Sequence, residues 1–150
     1  MKSMGDSLIK PLTVFYWKLT VPQYEVESLF SQETEVKRIE NPEEFINFLY
    51  RHKVSYLVLG LLSLEDFKRE WMPILSRISL NQRRKMFVVL ILPDAKTLDP
   101  WQTFLLSVNL LVNVEDTKGL SLYLQRAKSY FYELYEPYFR AMRNYLEELI

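Results

Sequence analysis

The sequence predicts an α/β protein: a three-layer α/β/α sandwich built on a five-stranded parallel sheet of order 2-1-3-4-5, with an extended C-terminal helix. Three observations carry that prediction. Val54–Gly60 reads V-S-Y-L-V-L-G, short, almost wholly apolar and rich in β-branched and aromatic residues, the pattern of a strand buried on both faces. Met86–Leu92, M-F-V-V-L-I-L, repeats that pattern. Around these two runs, strand-like segments alternate with helix-starting signals along the chain, which implies a parallel sheet joined by right-handed crossovers and covered on both faces.

The first strand is predicted at Leu12–Trp17, L-T-V-F-Y-W, after an N-terminal tail over 1–11. Pro22 then suits the first position of a short helix to about Ser31. Thr34–Ile39 alternates as an edge strand should, with Val36 and Ile39 inward. Asn41-Pro42-Glu43-Glu44 is a helix start: a capping amide, a proline at the first position and two carboxylates at the positive end of the dipole. That helix is predicted to reach Lys53, with Phe45, Phe48 and Leu49 inward.

Beyond the central strand Val54–Gly60, Ser63-Leu64-Glu65-Asp66 resembles a capping box. It opens a helix bearing Phe67, Trp71, Ile74, Leu75 and Ile78, which Pro73 should kink or divide near Met72. Arg83-Arg84-Lys85 closes the segment before the Met86–Leu92 strand. Asp99-Pro100 starts a helix to about Val108, and Leu110–Val114 is the fifth strand. From Thr117 the pattern is helical to the end, with a kink or break expected near Pro137.

The chain has 150 residues and is read as one domain with no internal boundary. Nineteen basic residues balance nineteen acidic ones, which argues against a nucleic-acid partner, since such binding needs a basic excess. No cysteine is present, so disulfides, thiolate metal sites and cysteine nucleophiles are excluded. The N-terminal M-K-S-M-G-D-S lacks the apolar core of a signal peptide, and no apolar run is long enough to span a bilayer. A cytoplasmic protein with no membrane association is the expectation.

Order and spacing together resemble a receiver domain of two-component signalling, the CheY-like branch of the flavodoxin-like folds. The stretch that carries the resemblance best is Phe87–Lys128, with F-V-V-L-I-L-P-D-A-K and then N-L-L-V-N-V-E-D-T-K-G-L-S-L-Y-L-Q-R-A. The resemblance covers roughly residues 12–132 and is one of architecture. It implies an acidic pair after the first strand, where this chain has Trp17-Lys18-Leu19. It implies a phosphoaccepting aspartate ending the third strand, where Gly60 or a neighbouring leucine stands. A hydroxyl residue after the fourth strand is replaced by Leu92-Pro93, and a lysine after the fifth by Val114-Glu115-Asp116. Phosphotransfer then has no chemistry to run on, so the resemblance implies a degenerate, non-enzymatic receiver-like domain kept for its surfaces.

Other chemistry is weakly signalled. With Gly5, Gly60 and Gly119 as the only glycines, no phosphate-cradling loop forms, and no cofactor is expected. Glu65, Asp66, Asp94, Asp99, Glu115 and Asp116 fall near strand ends, where a magnesium site is one reading. Helix capping is the favoured one: Asp99 caps a helix, Glu65 and Asp66 complement a dipole, and Asp116 or Thr117 caps the last helix. His52 sits in a basic helix end and at the wrong end of the sheet for catalysis. No catalytic, cofactor-binding or metal residue is assigned.

Two surfaces remain. The C-terminal pattern is about twice as long as a helix covering the sheet needs, and its apolar positions continue to the end. Phe131, Leu134, Tyr135, Tyr138, Phe139, Met142, Tyr145, Leu146 and Leu149 therefore form a candidate interface. Either this segment folds back on its own domain or it pairs with a second copy; a homodimer that also docks on an unidentified protein partner is favoured. The alternative function is binding of a small ligand or nucleotide at a rim formed by Lys18, Thr20, Ser63 and Asp94.

Overall fold

The computed structural model describes residues 10–148, apart from the side chains of Tyr135, Tyr138 and Phe139. The expectations for the N-terminal M-K-S-M-G-D-S, and those for Leu149, Tyr135, Tyr138 and Phe139 as interface side chains, lie outside the described residues.

Five strands make one parallel sheet: β1 (Leu12–Trp17), β2 (Glu35–Arg38), β3 (Val54–Gly60), β4 (Phe87–Leu92) and β5 (Leu110–Asn113), in the order β2-β1-β3-β4-β5. Strand alternation divides the side chains between two cores. Leu12, Val14, Tyr16, Leu57, Leu59, Val88 and Leu90 face one layer with Phe45, Trp71 and Ile74. Phe15, Val58, Val89, Ile91 and Val112 face the other with Val26, Phe30 and Leu120. β3 and β4 lie inside the sheet, which is why their sequences are nearly continuous apolar runs.

The connecting helices depart from expectation at their ends. α1 (Gln23–Glu27) is shorter than predicted; tight turns carry the chain from there to Thr34. α2 (Glu43–Arg51) starts under Asn41, whose Oδ1 accepts the Glu43 N–H at 3.0 Å. α3 spans 64–76 and does divide near Met72: a π-helical turn at Phe67–Trp71 separates Leu64–Asp66 from Met72–Ser76. Pro73 thus falls in the first turn of a fresh α segment, where its missing N–H costs nothing. A separate helix, α4 (Leu80–Arg84), capped by Ser79, precedes β4 and was not anticipated. α5 (Pro100–Leu105) is capped by Asp99, which accepts from Trp101 and Gln102, and it ends before Val108.

α6 (Leu120–Glu148) begins three residues later than the pattern suggested, because a 3-10 segment, Val114–Gly119, comes first. Asn113 caps that segment, while Asp116 accepts the Thr97 hydroxyl instead of capping α6. The helix passes through Pro137 without a break, so no fresh helix starts there. Its 29 residues reach about 43 Å at 1.5 Å per residue. Only the first part lies on the sheet: Leu120 is buried, and Tyr123, Leu124, Ala127 and Phe131 pack against the second core. The distal part does not fold back, since every residue from 140 to 148 is exposed.

Candidate functional site

A parallel sheet of this order presents its chemistry where the strands end and the connections diverge. Here that rim is built from the residue after β1, the end of β3, the turn after β4 and the segment after β5. Trp17 pairs with Gly60 across β1 and β3, and the Lys18 N–H donates to the Gly60 carbonyl at 2.8 Å. The Trp17 indole lies over Gly60, so that a Cβ built there would fall 2.6 Å from Cε3. The indole is anchored by its own N–H, which donates to the Val21 carbonyl at 2.8 Å. At the end of β3, an aromatic ring therefore fills the space above the backbone of residue 60.

None of the four residues of the candidate ligand rim lines the three cavities described below. Lys18 Nζ lies 3.7 Å from Glu40 and 5.0 Å from the centre of the Tyr16 ring. Ser63 Oγ accepts the Asp66 N–H at 3.1 Å and so serves as the α3 cap. Thr20 and Asp94 are exposed. Cavities of about 560, 340 and 260 Å³ are lined by other residues. Among the described residues, no three carboxylate or imidazole groups stand close enough to share a cation.

Sequence reasoning missed Asn113, which organises the rim beside β5. Its Nδ2 donates to the Pro93 and Ala95 carbonyls at 2.9 and 2.7 Å, and its Oδ1 accepts the Glu115 N–H at 2.9 Å. One side chain thereby ties the turn after β4 to the turn after β5. An asparagine closing an apolar strand is the signal that could have marked it, since its amide readily bonds nearby backbone.

The 560 Å³ cavity is a groove along the open side of β5, between α5 and α6. Its walls carry Phe104 from α5 and Arg126, Tyr130 and Leu134 from α6. Trp101 stacks beside Phe104 at 6.2 Å, and both rings are largely exposed. The β5 edge itself is closed to strand addition near the rim. The Leu98 N–H donates to the Leu111 carbonyl, and the Asn113 N–H donates to Thr97 Oγ1, each at 2.9 Å. Leu98 reaches that position with φ of 63°. Covering an edge in this way prevents another chain from pairing with it.

The predicted interface residues divide in two. Phe131 belongs to the domain: its ring meets Phe87 edge-on at 5.8 Å and packs against the second core. Leu134, Met142, Tyr145 and Leu146 are exposed along the projecting part of α6. On that part, Glu136 pairs with Arg140 and Arg143 at 3.4 and 3.3 Å. No helix among the described residues is long and apolar enough to cross a membrane.

No protein-family model matches the chain, and no curated protein is significantly similar to it. Several solved structures share its fold, two of them as follows. One is the signal receiver domain of an HD domain-containing protein from Pseudomonas fluorescens Pf-5, with a TM-score of 0.56 and 14% identity, covering 83% of this chain and 98% of that one. The other is a putative pilus assembly-related protein from Burkholderia pseudomallei K96243, with a TM-score of 0.54 and 14% identity, covering 81% and 92%. The likeness establishes the receiver-like, flavodoxin-like fold.

Proposed function

We propose that the chain is a receiver-like protein–protein interaction domain that does not accept a phosphoryl group and acts through its surfaces, self-associating through α6. The observation that carries this reading is the Trp17 ring seated over Gly60. Phosphoryl transfer to a receiver-like site needs a carboxylate acceptor and acidic groups to hold the cation that offsets the developing charge. On this reading Gly60 or a neighbouring leucine stands in the acceptor position, and the end of β1 supplies an indole and a lysine. The fold shared with a signal receiver domain supports the receiver-like part of this reading, while the exposed apolar residues of distal α6 support self-association.

Incubation with acetyl phosphate and magnesium, followed by intact-mass measurement, tests the first half. The expected result is an unchanged mass. A stoichiometric gain of one phosphoryl group overturns the reading. Light scattering on the full chain, and on one ending at Glu136, tests the second half: a dimer is expected for the full chain, and a monomer or an insoluble product for the shortened one.

A further inference from the structure

We infer that two copies pair antiparallel through α6, with the twofold axis near Pro137 and each distal segment lying in the α5–β5–α6 groove of the other copy. The inference rests on the self-association just proposed and specifies its geometry. Two surfaces require an occupant. The groove is apolar and open, about 560 Å³ in volume. Distal α6, which extends about 25 Å beyond Phe131, exposes Leu134, Met142, Tyr145 and Leu146. A distal helix docked in the groove of its twin covers both at once, as a self-complementary twofold contact must.

The register follows from helical spacing. Arg126, Tyr130 and Leu134 line the groove. Continuing their steps of three and four residues along the same face reaches Pro137, Ala141, Tyr145 and Glu148. In an antiparallel pair centred at Pro137, Leu134 stands opposite Ala141, Tyr130 opposite Tyr145, and Arg126 opposite Glu148. Large meets small at the centre, and the exposed guanidinium of Arg126 meets the acidic end of the helix. Helix dipoles also oppose one another favourably in this orientation.

A parallel pair fails on charge. It sets Glu147 and Glu148 against their own copies and repeats Arg140 and Arg143 likewise, and like charges placed together disfavour a complex. A membrane surface fits poorly as well. Segment 132–148 carries Glu133, Glu136, Glu147 and Glu148 against Arg140 and Arg143, whereas interfacial helices carry a basic face.

The absence of native cysteines makes disulfide trapping a direct test on the full chain. Tyr130→Cys and Tyr145→Cys are prepared separately, mixed and oxidised. The expected product is a mixed cross-linked dimer, with little self-cross-linking by either variant. Efficient self-cross-linking of Tyr145→Cys, without the mixed product, overturns the antiparallel geometry while leaving self-association standing. A full chain that stays monomeric at micromolar concentration overturns both. In the same frame, Arg126→Glu alone and Glu148→Arg alone should each weaken the dimer about tenfold, and the double reversal should restore it. Failure of the double variant to recover, with both singles folded, counts against the register.

Discussion

The ring of Trp17 and the bare backbone of Gly60 are fitted to each other: Cε3 of the indole stands 2.6 Å from where a Cβ on residue 60 would be. Glycine is required here for close approach, since no positive φ is involved. Neither position is free to change alone. Gly60→Ala should destabilise the fold by about 1–3 kcal/mol through overpacking. Removing the indole should relieve that strain, so the effects of Gly60→Ala and Trp17→Ala should be less than additive in a double-mutant cycle read by urea unfolding. Additive losses would mean that the ring does not sit over the glycine.

Val58 and Val89 pair across β3 and β4 and are fully buried. Val58→Asp or Val89→Asp buries a carboxyl with no partner, at a cost of several kcal/mol or an equally costly neutralisation. That is a large share of the roughly 5–15 kcal/mol that holds a domain of this size together. Thermal melting checks it, and a variant that melts like the parent would contradict the strand placement.

Arg38 on β2 grips the Glu27 carboxylate with two nitrogens, at 2.5 and 2.7 Å, and ties α1 to the sheet edge. The hydrogen bond from Arg38 holds the Glu27 carboxyl below the usual value of 4.5, with help from Gln23 and against the opposing effect of burial. A carboxyl depressed in the folded state stabilises fully above its unfolded pKa and loses that contribution as pH falls through the folded value. Arg38→Ala should therefore lower stability at neutral pH and flatten the acid-side decline below about pH 5. The pH dependence of the urea midpoint reads this directly; an unchanged acid limb would assign the decline to other groups.

Asn113→Ala should cost about 1–3 kcal/mol, because the partly buried carbonyls of Pro93 and Ala95 lose their shared donor. Amide hydrogen exchange should quicken around Ala95–Leu98 and Glu115. Unaltered protection there would show that the two turns hold their shape without the side chain.

Sheet, strand order and most helix starts were legible because they depend on local signals. A doubly buried parallel strand must be apolar along its whole length, as Val54–Gly60 and Phe87–Leu92 are. Capping needs only a side chain and the next turn of backbone, as Ser63 and Asp99 illustrate. The stretch before β4 was less legible: Leu80–Arg84 is a single turn of helix with no apolar periodicity of its own, held by the Ser79 cap.

What tertiary structure alone decided was which groups meet. No spacing rule brings Trp17 to Gly60, since they are joined only by the pairing of β1 with β3. Asn113 reaches Pro93 and Ala95 only because β5 lies beside β4. That α6 carries an apolar stripe past the end of the domain could be read from its residues, because helical period and composition are properties of the segment. Which part of that stripe the domain uses was decided in three dimensions. The second core takes up α6 as far as Phe131, and beyond that point Leu134, Met142, Tyr145 and Leu146 stand in solvent.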